Sequence, residues 1–190
     1  DSENGQIWLG EERMVLLRGS EMGALRRELI ESLGMSRAKK LCMRIGYFFG
    51  RKDAETAGKL RPDAPYFDTF LVGPQSHMVT GQAKVIPEKW DLEEGPDNFH
   101  GLFVWENSFE ADVFKSEFGT SSEPVCWTQI GYATGYTSQF LGRPVIFKEI
   151  SCAGCGDARC RIEGKPAEAW EDSEEILGYY QPDRIADQLL

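Results

Sequence analysis

The feature that most constrains this chain is its cysteine distribution. Four of the five cysteines lie beyond residue 125, and three fall within the run Glu149-Ile-Ser-Cys-Ala-Gly-Cys-Gly-Asp-Ala-Arg-Cys160. A loop this rich in glycine and small residues has too little apolar surface to order itself. Thiolates at this density can close around a metal and make the loop a fixed element. Cys152 and Cys155, three positions apart in a glycine turn, can point the same way. Cys160 offers a third ligand, and Cys126, on a preceding helix, a fourth. In a second ligand set Glu149, at the end of a strand, replaces Cys155. Spacing leaves both sets open. The plainer reading is a tight turn with unligated thiols. A catalytic metal would need an open position and a nearby base. No histidine is close in sequence and Asp157 is the only other carboxylate in the loop, so a structural zinc is expected. A redox role for Cys152-x-x-Cys155 lacks the surrounding thioredoxin-like pattern. Cys42, between Leu41 and Met43, reads as core packing.

The 190 residues are 41% hydrophobic, enough for one large domain or two small ones. The net charge of −10 repels phosphate backbones, so direct nucleic-acid contact is not expected. No apolar run is long enough to span a membrane and no signal peptide opens the chain. An odd, unevenly placed set of thiols fits a reducing cytoplasm better than a disulfide framework. The chain opens on Asp1 and closes on Leu190 within a helix-like stretch, which reads as a fragment of a longer protein.

Strands are expected at residues 7–9 and 14–17, around Gly10-Glu11-Glu12. A helix capped by Ser20 follows to Leu33, with Gly34 as its stop. Ser36 is expected to cap a second helix with Leu41, Ile45, Phe48 and Phe49 inward, and a third covers 53–60. Residues 62–74 read as a proline-punctuated loop holding Tyr66, Phe67 and Phe70. Strands are expected at 78–85, 86–90 and 99–106. The last alternates Phe99, Gly101, Phe103 and Trp105 against His100, Leu102, Val104 and Glu106, apolar enough for burial on both faces. Helices are expected at 108–118 and 125–140. Gly131 and Gly135 in the latter imply close packing or a ligand against the helix, since glycine costs about 1 kcal/mol there. Strands at 144–150 and 161–164 flank the cysteine loop, and a short helix starts at Pro166. The tail from Glu171 reads as an interdomain linker with an amphipathic stretch at Ile185 and Leu189, or as a frayed terminus.

His77 and His100 are the two histidines. A lone histidine is most often structural, but His77 has aromatic company. Phe70, Phe103, Trp105, Tyr136 and Phe147 all stand at element ends or on apolar faces. An aromatic-lined cavity with one or two convergent polar groups suits a small aromatic ligand. An imidazole nitrogen and the Trp105 indole N–H could bracket one hydroxyl. The competing reading is an ordinary aromatic core.

Several segments together resemble a known family. They are Ile7-Trp-Leu-Gly-Glu-Glu-Arg-Met14, Lys59-Leu-Arg-Pro62, Gly73-Pro-Gln-Ser-His77, Pro124-Val-Cys-Trp127, Gly131-Tyr-Ala-Thr-Gly-Tyr136, Phe147-Lys-Glu-Ile-Ser-Cys-Ala-Gly-Cys155 and Gly164-Lys-Pro-Ala-Glu-Ala-Trp170. Across the whole chain they look like the N-terminal sensor region of aromatic-responsive, sigma-54-dependent bacterial activators of the DmpR and XylR type. The resemblance implies an α+β fold with mixed or antiparallel sheets packed on helices. It implies an N-terminal activator and dimerisation subdomain over 1–105, a zinc-stapled, vinyl-reductase-like subdomain over 106–170, and a linker over 171–190 to an ATPase domain. It implies structural zinc on Cys126, Glu149, Cys152 and Cys160, leaving Cys155 out. It also implies a phenolic effector whose hydroxyl is anchored by His77 and Trp105, with walls from Phe70, Phe103, Tyr136 and Phe147. Phenol sensors of the family carry tyrosine where this chain has Phe147, which implies a less polar pocket, open to bulkier phenols such as a hydroxylated biaryl. The implied partners are a phenolic small molecule, a second copy of the chain and its own downstream ATPase, which the sensor restrains until effector binds. An enzyme acting on small aromatics, or a zinc-stapled interaction module without a ligand, are the alternatives.

Overall fold

Two long helices form the spine of the molecule, α2 (Met35–Leu60) and α6 (Trp127–Leu141). Glycine sets their separation. In the computed structural model, which describes residues 4–9, 12–60, 63–91 and 98–181, a Cβ on Gly46 would stand 1.9 Å from the Thr128 carbonyl oxygen, and one on Gly50 2.2 Å from that of Tyr132. The relation is reciprocal: a Cβ on Gly131 would stand 2.0 Å from the Met43 carbonyl oxygen and one on Gly135 2.1 Å from that of Tyr47. Backbone therefore meets backbone along the crossing, which accounts for Gly131 and Gly135 by packing, with no ligand needed there. The same contact corrects two expectations. Residues 36–60 form one continuous helix, and its inner face is not the Leu41, Ile45, Phe48 and Phe49 stripe. Ala38, Cys42, Gly46, Gly50 and Ala57 are buried, whereas Phe48 is 65% and Phe49 54% exposed. Large side chains would hold the helices apart, so the small residues face inward.

A hairpin of β1 (Ile7–Leu9) and β2 (Glu12–Met14) precedes the helices, with Ile7 opposite Met14. The second strand thus lies earlier than expected, and Gly10 and Glu11 fall outside the described residues. Helix α1 (Gly19–Leu33) stops at Gly34, whose φ is +79°. Ser20 lies inside the helix rather than capping it; the Glu21 carboxylate instead accepts the Arg18 N–H at 2.9 Å.

The expected aromatic loop contains two short helices, α3 (Tyr66–Phe70) and α4 (Val72–Val79). Pro65 sits just ahead of α3, and Pro74 lies in the first turn of α4, where a missing N–H breaks no helical bond. Because α4 runs to Val79, no strand begins at Met78. Gly81 turns the chain with φ +75°, and β3 (Lys84–Asp91) follows. Most of the turn expected before Phe99, together with Arg61 and Pro62, lies outside the described residues.

Strands β3, β4 (His100–Glu106), β5 (Val145–Ser151) and β6 (Cys160–Pro166) make one antiparallel sheet in the order β3-β4-β6-β5. On β4, Phe103 and Trp105 are buried as the alternation predicts. The opposite face is only partly covered: Val104 is buried, but His100, Leu102 and Glu106 remain half-exposed. Helix α5 (Phe109–Phe118) fills the expected span, and Ser108 caps it: its hydroxyl accepts the Ala111 N–H. The buried sheet face packs on α6, and α2 packs on α6 in turn. A 3-10 turn at Ala153–Cys155 spans the cysteine loop and another follows β6 at Ala167–Ala169. Helix α7 (Ser173–Tyr180) occupies the start of the tail; Ile185 and Leu189 lie outside the described residues. The result is an α+β fold. No helix among the described residues is long and apolar enough to cross a membrane.

Candidate functional site

Between α6, α4 and the sheet lies an aromatic cavity walled by buried side chains. Phe70, His77, Phe103, Trp105, Tyr136 and Phe147 all line it. Each arrives from a different constraint. Phe70 ends α3 and His77 lies on α4. Phe103 and Trp105 share one face of β4, Tyr136 projects from α6 and Phe147 from β5. Glycines make the room: a Cβ on Gly164, opposite Phe147 in the sheet, would overlap the Phe147 ring, and one on Gly73 would sit 2.7 Å from the Tyr136 ring. The rings meet edge-on or tilted, with Phe70 and Tyr136 centroids 5.5 Å apart and Phe103 and Phe147 6.0 Å apart. The cavity volume is about 30 Å³, room for about two waters, whereas cavities that admit benzene are of order 150 Å³. A ring enters only if these side chains part.

The polar pole is His77. It is 4% exposed, and neither ring nitrogen has a hydrogen-bond partner. Burial holds its pKa down at about 4, opposed by the nearby Gln82 side chain, so the ring is neutral at pH 7. A neutral imidazole offers one donor and one acceptor, and leaving both unmet in an apolar wall costs stability. Its centroid lies 5.9 Å from that of Trp105. The Tyr136 hydroxyl, by contrast, is committed to the Phe70 carbonyl at 3.0 Å.

Two neighbours escaped the sequence reading. Tyr132 lines the cavity and packs on His77 with centroids 4.4 Å apart. Its position four residues before Tyr136 on one helix face was the available signal. Trp90 on β3 closes the outer side, 4.0 Å from Phe70 and 6.3 Å from Phe103. A roomier hollow of about 220 Å³ lies between α2, β5 and α7, lined by Lys39, Met43, Lys148, Asp172 and Tyr179. Its Lys39 and Lys148 pair with Glu123 and Asp172, while Glu149, which also lines it, turns to the cysteines. The smaller cavity differs in being walled mostly by aromatic and apolar side chains around one unpaired imidazole.

The second constellation is Cys126, Glu149, Cys152 and Cys160, whose donor atoms all lie within 4.8 Å of one another. Cys126 precedes α6, Glu149 projects from β5, Cys152 opens the 3-10 turn and Cys160 begins β6. Cys155 is outside this cluster. The Cys126 and Cys160 sulfurs are 3.6 Å apart, and a tetrahedral ion with sulfur bonds of about 2.3 Å has edges of about 3.8 Å. One Glu149 oxygen accepts the Cys126 N–H at 3.2 Å, and the other is buried without a partner. Burial pushes the Cys126 thiol up and lifts Glu149 to about 8, helped by Cys152, while S–H donation from Cys126 and Cys160 draws Cys152 down. A divalent cation reverses that competition by taking the place of the protons. The unpartnered Glu149 oxygen and the three thiols therefore fit a metal ion. All the cysteines are free of disulfides.

The cluster is braced from outside. Ser108 Oγ stands 3.2 Å from Cys126 Sγ and donates to Gln129 Oε1 at 2.6 Å. Glu110 accepts the Thr128 and Gln129 N–H groups at the start of α6 and faces Arg26 of α1 at 3.4 Å. Arg26 also donates to the Val125 carbonyl and lies 3.9 Å over the Trp127 ring. Burial pushes the Glu110 carboxyl up, and Arg26 opposes it.

Comparison with known proteins gives this geometry a family. Residues 1–93 match the family described as activator of aromatic catabolism, and residues 105–166 match the V-4-R domain. The phenol-responsive sensory domain of the transcription activator PoxR, solved with phenol, superposes with a TM-score of 0.92 at 48% identity, over 96% of this chain and 91% of that one. The chain belongs to the sensory-domain family of PoxR, MopR and XylR. It is 41% identical over 190 residues to the phenol regulator MopR of Acinetobacter guillouiae. It is 45% identical over 184 residues to the transcriptional regulatory protein XylR of Pseudomonas putida. It covers all and 97% of itself in these matches but only 34% and 32% of those proteins, about a third of their length. The family fold reaches further: a trafficking protein particle complex subunit 3 from Naegleria fowleri, covalently bound to palmitic acid, superposes with a TM-score of 0.54 at 11% identity, over 78% of this chain and 92% of that one. That likeness concerns the fold alone.

Proposed function

We propose that this chain is the ligand-binding sensor domain of a phenol-responsive transcriptional activator. The observation that carries the reading is His77: buried in an aromatic cavity, neutral, with both ring nitrogens unmet. A phenol supplies what that wall lacks, an apolar ring with one hydroxyl able to donate and accept. His77 and Trp105 anchor the hydroxyl, while Phe70, Phe103, Tyr136 and Phe147 hold the ring. Phe147 in place of tyrosine admits alkylphenols and hydroxybiphenyls. The role is binding, not turnover. The unmet His77 nitrogens, not the packing, favour this reading over a ligand-free interaction module: Phe103 and Trp105 are 3% and 1% exposed, and the cavity is only about 30 Å³.

The Cys126, Glu149, Cys152 and Cys160 cluster holds a structural zinc, and ligand thiols belong in a reducing cytoplasm. A zinc ion held there would supply a dipositive centre that offsets part of the charge of three thiolates and one carboxylate. The residues themselves tie the start of α6 to β5 and β6 in a vinyl-reductase-like subdomain over 106–170. The part over 1–105 mediates homodimerisation; Trp8 at 52%, Leu16 at 80% and Phe48 at 65% exposure give it apolar surface to cover. Neither nucleic acid nor membrane is a partner of this region.

The downstream ATPase is the partner for the signal, through a linker over 171–190, and effector binding relieves its restraint. Three consecutive β5 residues support such a route. Phe147 enters the cavity, Lys148 grips Asp172 at 2.5 and 2.7 Å, and Glu149 joins the cysteines. Lys148 also lies 4.3 Å over the Trp170 ring, and Tyr180 of α7 stacks on Tyr47 of α2 at 4.6 Å. The effector can shift this arrangement only by its differential affinity for two states.

The test is a thermal melt of the chain with and without phenol. Phenol is expected to raise the Tm of the parent and to leave His77→Ala and Trp105→Ala nearly unmoved. Equal shifts in all three proteins would sink the anchor assignment.

A further inference from the structure

We propose that Asp53 is a positioning residue for the cavity's recognition pole: from α2 its carboxylate ties together the two helices that frame His77. The inference rests on the phenol-sensing reading above. Asp53 Oδ2 accepts the Tyr132 hydroxyl of α6 at 2.6 Å and the Ser76 hydroxyl of α4 at 3.3 Å. Ser76 immediately precedes His77, and the Tyr132 ring packs on the imidazole at 4.4 Å and 59°. A single oxygen thus fixes both the backbone that carries the imidazole and the ring beside it.

His77 needs such help. An imidazole is usually oriented by a hydrogen bond at the nitrogen that is not at work. Neither nitrogen of His77 makes a hydrogen bond of normal geometry; beside the nearby Gln82 side chain, packing sets its orientation, and Tyr132 is its closest ring neighbour. Burial raises the Tyr132 hydroxyl well above its ordinary pKa, and Asp53 adds to the rise, so it is a constant donor to Asp53. The carboxylate comes from a rigid element, because Gly50, one turn earlier, locks α2 onto the Tyr132 backbone. Asp53 does not line the cavity and acts only through these two neighbours. It therefore governs how well a hydroxyl is read, not how well a ring is held.

Calorimetric titration of the zinc-loaded chain with phenol and with toluene separates these effects. Asp53→Ala is expected to weaken phenol binding about tenfold, the value of one hydrogen bond, while toluene changes less than about twofold. Asp53→Asn, whose carbonyl still accepts, restores most of the loss, and Tyr132→Phe repeats it. Ring-to-ring NOEs between His77 and Tyr132 in the unliganded protein report one imidazole orientation in the parent and weaken in Asp53→Ala. Unchanged phenol affinity in Asp53→Ala, an equal fall for both ligands, or unchanged NOEs would overturn the inference. A parent that binds no phenol at all would instead remove the sensing reading, and this inference with it.

Discussion

The cysteine cluster and the aromatic cavity lie on the same helix and the same sheet, yet they are built on opposite principles. In the cluster every donor is held by the backbone: a helix start, a strand, a 3-10 turn and a second strand, with Cys126, Cys152 and Cys160 almost wholly buried. In the cavity the walls are side chains touching side chains, drawn from α3, α4, α6 and all four strands of the sheet. The cluster can therefore be rigid while the cavity yields. Phe147 and Glu149, two residues apart on β5, place one element in both regions.

Breaking the cluster should have the largest effect. Cys160→Ser removes a thiolate whose site, when it holds zinc, contributes on the order of 10 kcal/mol to folding. The variant should lose bound zinc, and its Tm should fall by more than about 15 °C; Cys155→Ser should keep both. Zinc analysis beside calorimetric melts checks the pair. Next comes the brace. Glu110→Ala strands Arg26 as a buried unpaired charge and should cost about 3–5 kcal/mol, read in urea melts, with zinc retained. A loss under about 1 kcal/mol would mean that the start of α6 needs no such support.

The cavity should answer to pH. Folded His77 titrates at about 4 against 6.5 when unfolded. Between those values the unfolded chain binds a proton that the folded one refuses. Stability is therefore full above pH 6.5 and falls as pH drops towards 4, by about 3 kcal/mol in all. Urea melts of the parent and of His77→Phe at pH 7.5 and 5 should differ in this slope; identical slopes would place a bonded or exposed imidazole at the site. The smallest effect is at Phe147→Tyr, where an added hydroxyl should weaken 2-hydroxybiphenyl binding about fivefold relative to phenol, roughly 1 kcal/mol. An unchanged ratio would free Phe147 from any part in selectivity.

The two regions also differed in how far they could be read from sequence. Strand β4 and helix α5 were legible because alternation and helical spacing of apolar residues are local signals. The cluster's cysteines were visible by density alone. Whether Glu149 or Cys155 joined them was not, because that turns on a bulge between Glu149 and Ser151 that re-aims the strand's side chains. The inner face of α2 was misread because apolar bulk points to Phe48 and Phe49, whereas contact with α6 selects Gly46 and Gly50. That preference exists only once both helices are present. Residues 66–79 hid two helices because prolines mark helix starts as readily as loops. The cavity's six wall residues lie far apart in sequence, and bare aromatic composition separates them poorly from core; Tyr132 was signalled only by its spacing from Tyr136, and Asp53 carried no signal of its own.

The central claim is that His77 and Trp105 read a phenolic hydroxyl inside the aromatic cavity. A crystal structure of the zinc-loaded chain with phenol tests it most directly. The account predicts the phenol oxygen within about 3 Å of a His77 ring nitrogen and of Trp105 Nε1, with the ring between Phe70, Phe103 and Phe147. Phenol bound instead in the hollow beside Lys39, Lys148 and Tyr179, with His77 still unpartnered, would contradict it.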